Sequence, residues 1–307
     1  MSLQQIRYYL QSVFFELLGT RFWKALLQAF GLITVLQRIV QIKLPDINDL
    51  LRPYWGGLLC LSAAFAFWSV RPRRRITYQL KGRDVFIEIY IGDVFDLRGA
   101  IVIGSNTTFD TEMTNRLISP ESIQGQFTRK FYDRTEHLDH DLSGQLASLA
   151  HSVVADKAVG KTKRYEIGTV CRVSPKGRNA YLVAIANINS HGTASGELEH
   201  VLGALPKLWT YIGERGAKEP IVVPVLGTGA TRLAVPRETI IREIIRSFVA
   251  ACSEKSFCEN LSIVVSPSDF VRFKMNYSEL DQYVKHVCAY AEFPSPSATG
   301  RGTAVWA

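Results

Sequence analysis

Apolar and polar positions follow two different patterns along this chain of 307 residues. In the first quarter the apolar residues form helical stripes and long uncharged runs, and from residue 76 onward short apolar runs alternate with longer periodic segments. The change of pattern predicts two parts, residues 1–75 and residues 76–292. Residues 293–307 form a Pro/Ser/Gly-rich tail whose composition predicts disorder.

The first apolar stripe predicts an amphipathic helix over residues 4–18. Its apolar side chains recur at spacings of three and four, which places them on one face of a helix. Such a face suits a membrane surface, a second copy of the chain or the core of the protein. The pattern does not separate these alternatives.

Two longer apolar segments follow, over residues 22–42 and 54–70. The second has no charged residue and carries Trp55 and Trp68 near its ends, as is typical of side chains at membrane interfaces. Together the two segments predict a transmembrane hairpin, with a buried core helix as the alternative for the second. The arginine cluster in residues 71–75 then places both ends of the hairpin on the cytoplasmic side.

Most of the net charge of +8 belongs to this N-terminal part. Residues 1–75 contain ten Lys and Arg side chains and three acidic ones, so the remaining chain is close to neutral. A basic surface for nucleic acid is therefore not expected on the folded part. The five cysteines are odd in number and lack metal-ligand spacing, which predicts reduced thiols and no metal site.

From residue 76 onward the pattern predicts an α/β fold. Strands alternate with helices, which is typical of a mixed, mostly parallel sheet with helices on both faces in three layers. Strands are predicted at 76–80, 85–91, 100–103, 165–173, 181–188, 221–226 and 261–266, and helices at 139–158, 193–214 and 278–291. A further helix is predicted to begin with Pro236 as its first residue, and Pro206 is expected to kink or divide the helix at 193–214.

Ligands of such sheets bind at the carboxyl ends of the strands, which selects residues 92–94, 104–106, 187–192 and 227–230. The last segment joins a buried strand to a helix through two glycines, so its backbone N–H groups suit a phosphate. An ordinary connection between strand and helix is an equally good interpretation of that segment. Asp93 suits an exocyclic amine as hydrogen-bond partner, whereas a turn cap is the more frequent role for such a residue.

Several common sites are excluded because required residues are missing. Residues 160–162 resemble the end of a P-loop, but Ala155 occupies the position of its first glycine. No GxGxxG motif opens a helix after the first strand, and no nucleophile elbow surrounds Ser190. We therefore expect neither a P-loop, nor a dinucleotide site of the Rossmann type, nor a serine-hydrolase triad.

Three motifs lie at predicted strand ends: IEIYIGDV at 87–94, AIVIGSN at 100–106 and IVVPVLGTGA at 221–230. In order and context they resemble the motifs of macro domains, the ADP-ribose-binding module. The resemblance covers roughly residues 77–291 and implies the three-layer macro-domain fold.

The resemblance also implies a role for each site residue. Asp93 would recognise adenine, with the backbone N–H of Val94 beside it, and Asn106 would lie by the distal ribose. Gln124 and Gly125 are expected to supply phosphate contacts from an insert that replaces the usual glycine-rich loop. The pyrophosphate loop would be formed by Gly227, Thr228, Gly229 and Ala230. The aromatic side chain that flanks the adenine would be Phe270.

The sequence departs from hydrolytic macro domains at the residues that position water. Ile103 stands where those domains have the first asparagine of their motif, and the glycine-rich loop is absent. Asp110 is the only obvious acid near Asn106, and it could equally be structural. We therefore expect binding without catalysis, with no catalytic residue, no cofactor and no metal.

The whole arrangement resembles the membrane-anchored effectors of bacterial Thoeris anti-phage systems, on the motifs SNTTFD (105–110), SPESIQGQF (119–127) and LGTGATRL (226–233). The resemblance implies a partner TIR-domain enzyme that makes an ADP-ribose-derived signal, histidine-conjugated ADP-ribose in this branch. It further implies a homo-oligomer in the bacterial inner membrane, crossing it twice, with the macro domain in the cytoplasm. Signal binding would then trigger membrane disruption and abortive infection. A membrane-tethered ADP-ribosyl hydrolase and an ADP-ribose-binding scaffold are the alternatives.

Overall fold

The computed structural model describes residues 20–43, 55–69, 74–114, 117–154, 157, 159–188, 194–227, 235–291 and 293. The chain divides into two compact units, residues 1–74 and residues 75–307. The helix predicted over 4–18 and, apart from residue 293, the predicted tail lie outside the described residues.

Among its described residues, the first unit contains the helices α1 (Thr20–Lys43) and α2 (Trp55–Ser69), at the two predicted apolar segments. Phe22 of α1 and Ala66 of α2 form a small buried cluster, and the rings of Phe22 and Phe67 meet with centroids 5.3 Å apart. Over the part of the chain that the structure describes, no helix is both long and apolar enough to cross a membrane.

The second unit alternates strands and helices, as the sequence predicts. Its strands are β1 (Arg75–Gln79), β2 (Phe86–Ile91), β3 (Ala100–Asn106), β4 (Ser152–Val153), β5 (Lys163–Arg164), β6 (Val170–Val173), β7 (Ala180–Ile188), β8 (Ala194–Ser195), β9 (Ile221–Pro224) and β10 (Asn260–Val265). Its helices are α3 (Ile123–Phe131), α4 (Thr135–Leu146), α5 (Leu198–Arg215), α6 (Arg237–Glu254), α7 (Pro267–Arg272) and α8 (Tyr277–Tyr290), with 3₁₀ turns at Val94–Asp96 and Pro175–Gly177.

The main sheet has the strand order β1-β2-β10-β9-β3-β7-β6, and β8 adds to the end of β7. The five strands from β2 to β7 in this order are mutually parallel. The outer strands β1 and β6 are antiparallel to their neighbours. The expected mixed, mostly parallel sheet is therefore confirmed.

Helices cover the sheet on both faces and give it two separate cores. On one face α5, α6 and α8 bury Trp209, Phe248 and Val284 against β-branched strand residues. On the other face α3 and α4 bury Phe127 and Leu138. The burial of large apolar side chains on both faces is the main source of stability for such a layered domain.

Several predicted boundaries are wrong. The helix predicted over 139–158 is α4, which ends at Leu146, and the chain then enters the short strand β4. The apolar residues that extended the predicted helix, such as Leu149 and Val153, are exposed. A helical spacing that continues beyond the covered face of α4 therefore misled the prediction.

Other boundaries moved because of local pairing. The helix predicted from residue 193 begins at Leu198, since Ala194 and Ser195 pair with β7. That helix, α5, continues through Pro206 instead of dividing there. Pro236 precedes α6 as its N-cap rather than serving as its first residue.

Replacing Gly99 and Gly144 with alanine should change stability in opposite directions. Gly99 has φ +116°, and an added Cβ would lie 2.1 Å from the Pro220 carbonyl oxygen. We expect Gly99→Ala to lower the free energy of unfolding by about 1–3 kcal/mol. Gly144 is exposed in α4 with nothing near an added Cβ, so Gly144→Ala should raise it by roughly 0.4–1 kcal/mol. Urea unfolding of the full chain measures the free energy of unfolding of both variants. Equal changes for Gly99→Ala and Gly144→Ala would contradict the backbone strain expected for alanine in place of Gly99.

Candidate functional site

The sheet opens between β3 and β9 at the carboxyl end of its parallel strands. Pairing between these neighbours is limited to Ala100 with Ile221 and Ile101 with Val222, although β3 continues to Asn106. After β3 the chain passes to α3 on one face, and after β9 it passes to α6 on the other. Such a divergence is a topological switch point, where ligands of open α/β sheets bind.

Asp93 lies at the same edge of the sheet, directly after β2. The Gly92 N–H donates to the Val265 carbonyl at 3.0 Å, which fixes the start of the turn beside β10. The exposed Asp93 carboxylate accepts a bond from the Phe95 N–H through Oδ1 at 3.0 Å and so caps the 3₁₀ turn. Its other oxygen has no hydrogen bond among the described residues, so the cap leaves an acceptor open to a ligand.

The predicted pyrophosphate loop is described only at its first residue. Gly227 has φ +71°, a left-handed backbone that glycine adopts without strain. Thr228, Gly229 and Ala230 lie outside the described residues. Phe270 lies in α7, half-buried against the core, with its ring centroid 6.3 Å from that of Tyr277.

Asn106 ends β3 and is buried, and its side chain is held by its own loop. Its Oδ1 accepts from the N–H groups of Thr108 (3.2 Å) and Asp110 (3.1 Å), and its Nδ2 donates to Asp110 Oδ2 at 3.0 Å. The pairing of β3 with β7 shifts register between Ser105 and Asn106, directly before this loop. Asn106 thus shapes the loop, and its contact with a distal ribose remains a prediction.

Asp110 is the centre of a buried charged network. Its Oδ2 lies 2.5 Å from Lys157 Nζ, and the two side chains are 1% and 0% exposed. Thr108 Oγ1 donates to the same oxygen at 2.6 Å, and the Lys161 N–H donates to Oδ1 at 2.7 Å. Both carboxylate oxygens are therefore occupied by donors, as a buried charge requires.

The ammonium group of Lys157 is equally well satisfied. Besides Asp110 it donates to Thr108 Oγ1 and to the Lys161 carbonyl, each at 2.8 Å. Lys161 in turn forms an ion pair with Asp139 of α4 at 2.5 Å. The network ties the loop after β3 to residues 157–161 and to α4.

Gln124 and Gly125 support this loop from α3. The buried Gln124 side chain donates to the Asp110 carbonyl at 2.7 Å. The Gly125 N–H donates to the N-cap hydroxyl of Ser122 at 3.0 Å, and an added Cβ would lie 2.3 Å from the Ser119 carbonyl oxygen. Both residues thus have structural contacts, and their predicted phosphate contacts are untested.

Sequence reasoning missed Lys157 because the helix predicted over 139–158 included it. A lysine within an apolar stretch was the available signal, since such a side chain must pair if it is buried. Reasoning also gave no role to the hydroxyls of Ser105 and Thr107, which are buried without a hydrogen-bond partner in the described part of the chain. They flank Asn106 at the end of β3.

The comparison with protein families decides the assignment. The family model "Thoeris protein ThsA, Macro domain" matches residues 87–266, more than half of the chain. The chain belongs to the ThsA macro-domain family. The matched range includes Asp93, Asn106 and Gly227, whereas Phe270 lies outside it.

Other proteins and solved structures are similar to this chain. The Thoeris protein ThsA of Bacillus amyloliquefaciens (strain Y2) is 26% identical over 218 residues, covering 69% of this chain and 71% of that protein. Among solved structures, the Oceanobacillus iheyensis macrodomain with ADP has a TM-score of 0.45 at 12% identity, covering 70% and 95% of the two chains. The Trypanosoma brucei macrodomain in complex with ADP-ribose has a TM-score of 0.42 at 13% identity, covering 68% and 74%.

Removing the buried ammonium group should destabilise this family member strongly. Lys157→Met leaves the Asp110 carboxylate without its counter-ion, so we expect a loss of about 3 kcal/mol or more in the free energy of unfolding. The double variant Lys157→Met/Asp110→Asn should recover part of this loss because no buried charge remains. Lys176→Met, which removes the exposed ion pair with Asp133, should leave the unfolding midpoint unchanged. Urea unfolding measures these changes. Similar losses in the free energy of unfolding for Lys157→Met and Lys176→Met would contradict the claim that a buried ion pair matters more than an exposed one.

Proposed function

We propose that this chain is the signal-binding effector of a Thoeris anti-phage system, and that its macro domain binds an ADP-ribose derivative. Histidine-conjugated ADP-ribose, made by a partner TIR-domain enzyme, is the proposed signal. Binding would act on the N-terminal helices of a homo-oligomer at the bacterial inner membrane and lead to membrane disruption.

The observation that carries the ligand proposal is the opening of the sheet between β3 and β9 beside Asp93. An elongated ligand with a base at one end and two phosphates in the middle suits a crevice with an acceptor at one end and a glycine turn beside it. The open oxygen of Asp93 suits an exocyclic amine, and Gly227, with its left-handed backbone, begins the glycine-containing sequence whose N–H groups we propose for the phosphates. The membership of the family supports the same ligand class.

Binding without catalysis is supported by the state of Asp110. A general base must have a free acceptor within reach of the attacking water. In this loop both oxygens of Asp110 accept hydrogen bonds or ion pairs from buried donors. Asp110 therefore suits a structural role, and we propose that the chain is not an enzyme.

The membrane proposal is supported by the surface of the first unit. Both helices there expose large apolar side chains, which monomeric soluble proteins rarely leave in one contiguous patch. These residues are Trp23, Leu27, Leu32, Val35, Leu36, Ile39 and Ile42 on α1, and Leu59, Leu61, Phe65, Phe67 and Trp68 on α2. The tryptophans and the arginine cluster of residues 71–75 suit a membrane interface.

Changing Asp93 to asparagine should weaken ligand binding while keeping the turn. Asparagine caps turns as aspartate does, but it lacks the charge that strengthens a bond from an exocyclic amine. We expect Asp93→Asn to raise the Kd for ADP-ribose at least about tenfold, which is 1.4 kcal/mol. Calorimetry on the full chain measures this. Asp84→Asn, in an exposed turn before β2, is the control, and equal affinities for both variants would contradict the adenine assignment.

The bound ligand should remain chemically intact. Histidine-conjugated ADP-ribose incubated with the full chain should show no release of free ADP-ribose above the rate without protein. Chromatography of the nucleotide pool over several hours provides the measurement. Steady product formation would refute the binding-only proposal and favour the hydrolase.

Ligand should make membranes leak only when the apolar helices are intact. Dye-filled vesicles of phosphatidylethanolamine and phosphatidylglycerol should release dye when both the chain and histidine-conjugated ADP-ribose are present. Phe65→Lys should abolish the release because it places a charge on the apolar surface of α2. Tyr290→Lys, which replaces an exposed aromatic side chain of α8, should leave it unchanged. Ligand binding without any dye release from wild type would favour the scaffold.

A further inference from the structure

The chain enters the α/β unit at the ligand-binding edge of the sheet. β1 is antiparallel to β2, and its first residue, Arg75, lies opposite Tyr90. Tyr90 precedes Gly92 by two residues and Asp93 by three. The segment that follows α2 in the sequence therefore joins the second unit beside the proposed adenine end of the site.

Arg75 is held at this point by two contacts. Its Nε lies 2.8 Å from Glu88 Oε1, and the Glu88 side chain is 5% exposed. Its guanidinium carbon lies 5.0 Å from the centroid of the Tyr90 ring, a cation–π distance. Since a carboxylate buried to this degree needs a positive partner, the contact favours one position for the first residue of β1.

Glu88 is in turn fixed from the neighbouring strand. Ser262 Oγ donates to its other oxygen at 3.0 Å, and Asn260 Nδ2 lies 3.3 Å from the same atom. Both residues belong to β10, which ends at Val265 beside the Gly92 N–H. The carboxylate that holds Arg75 is therefore itself attached to the strand beside the site.

Tyr90 links Arg75 to the turn that contains Asp93. A Cβ added at Gly92 would lie 2.3 Å from the Tyr90 ring, so the ring lies directly on that glycine. The Tyr90 hydroxyl is 3.5 Å from Asp96 Oδ2, in the 3₁₀ turn that Asp93 caps. The Tyr90 ring therefore connects Arg75 with Gly92 and with the 3₁₀ turn that Asp93 caps.

We propose that Arg75, Glu88 and Tyr90, together called the entry latch, transmit occupancy of the Asp93 end of the site to the segment that leads to the N-terminal helices. The inference rests on the proposed function, because it requires that a ligand binds at Asp93. The ligand can shift the latch only if it binds one position of the Asp93 turn more tightly than another. The size of the shift equals that difference in binding free energy. By linkage, removing the latch changes the affinity for ADP-ribose by the same factor as the ligand changes the latch, so a small coupling leaves the affinity close to that of wild type.

Hydrogen exchange on the full chain tests the latch, with ADP-ribose as the probe. In wild type, saturating ADP-ribose should change the amide exchange rate at least twofold in peptides that cover residues 55–79. Arg75→Gln should bind ADP-ribose within about threefold of wild type and lose that change over residues 55–74. Protection near Gly227 should persist, since the binding site itself is untouched.

Two further variants make the result decisive. Glu88→Gln, which keeps the shape of the side chain, should have the same effect as Arg75→Gln and provides the test if Arg75→Gln fails to fold. Lys176→Gln, which removes an exposed ion pair elsewhere, should respond as wild type does. An unchanged ligand response in both latch variants, or no response in a wild type that binds, would overturn the latch. A wild type that binds neither ADP-ribose nor its histidine conjugate would refute the proposed function, and the latch with it.

Discussion

The structure depends on one topological constraint: β3 and β9 are neighbours in the sheet, yet their connections leave to opposite faces. Adjacent parallel strands place their carboxyl ends at one edge, and connections that diverge there cannot fill the space between them. Pairing between the two strands accordingly stops after Ile101 and Val222. The opening in the sheet is thus a consequence of strand order, and residues 92–94, 104–106 and Gly227 lie at the same edge of the sheet.

A buried ion pair holds the loop that follows β3 in place. The Asp110 carboxylate cannot be buried alone, so the loop after β3 recruits Lys157, Thr108 and the backbone of Lys161. These donors hold the loop after β3 in place and satisfy the buried charge of Asp110.

The N-terminal part of the chain joins the α/β unit at the first residue of β1. The antiparallel pairing of β1 with β2 brings Arg75 to the strand end that carries Asp93. A parallel β1 would have placed the entry of the chain at the opposite edge of the sheet. Strand direction, and not distance along the sequence, thus places Arg75 near the turn that contains Asp93.

The elements and the order of motifs could be predicted from the sequence, because apolar periodicity reports the faces that become buried. The strand that became β7 and the helix that became α8 were predicted almost to their ends. Predicted helix ends were wrong where the helical spacing of apolar residues continued into exposed positions, as at Leu149 and Val153. They were also wrong where residues paired with another strand, as Ala194 and Ser195 do with β7.

The sequence by itself determined the α/β class, the division of the chain into two parts and the strand ends at which the proposed ligand contacts lie. Only the tertiary structure decided what those residues contact. Asn106 and Asp110 are four positions apart in the sequence, but their state depends on Lys157, which reaches them from a distant segment. Periodicity records which side chains are buried, whereas the partner of a buried polar group is chosen by the packing of segments that the pattern leaves unconnected.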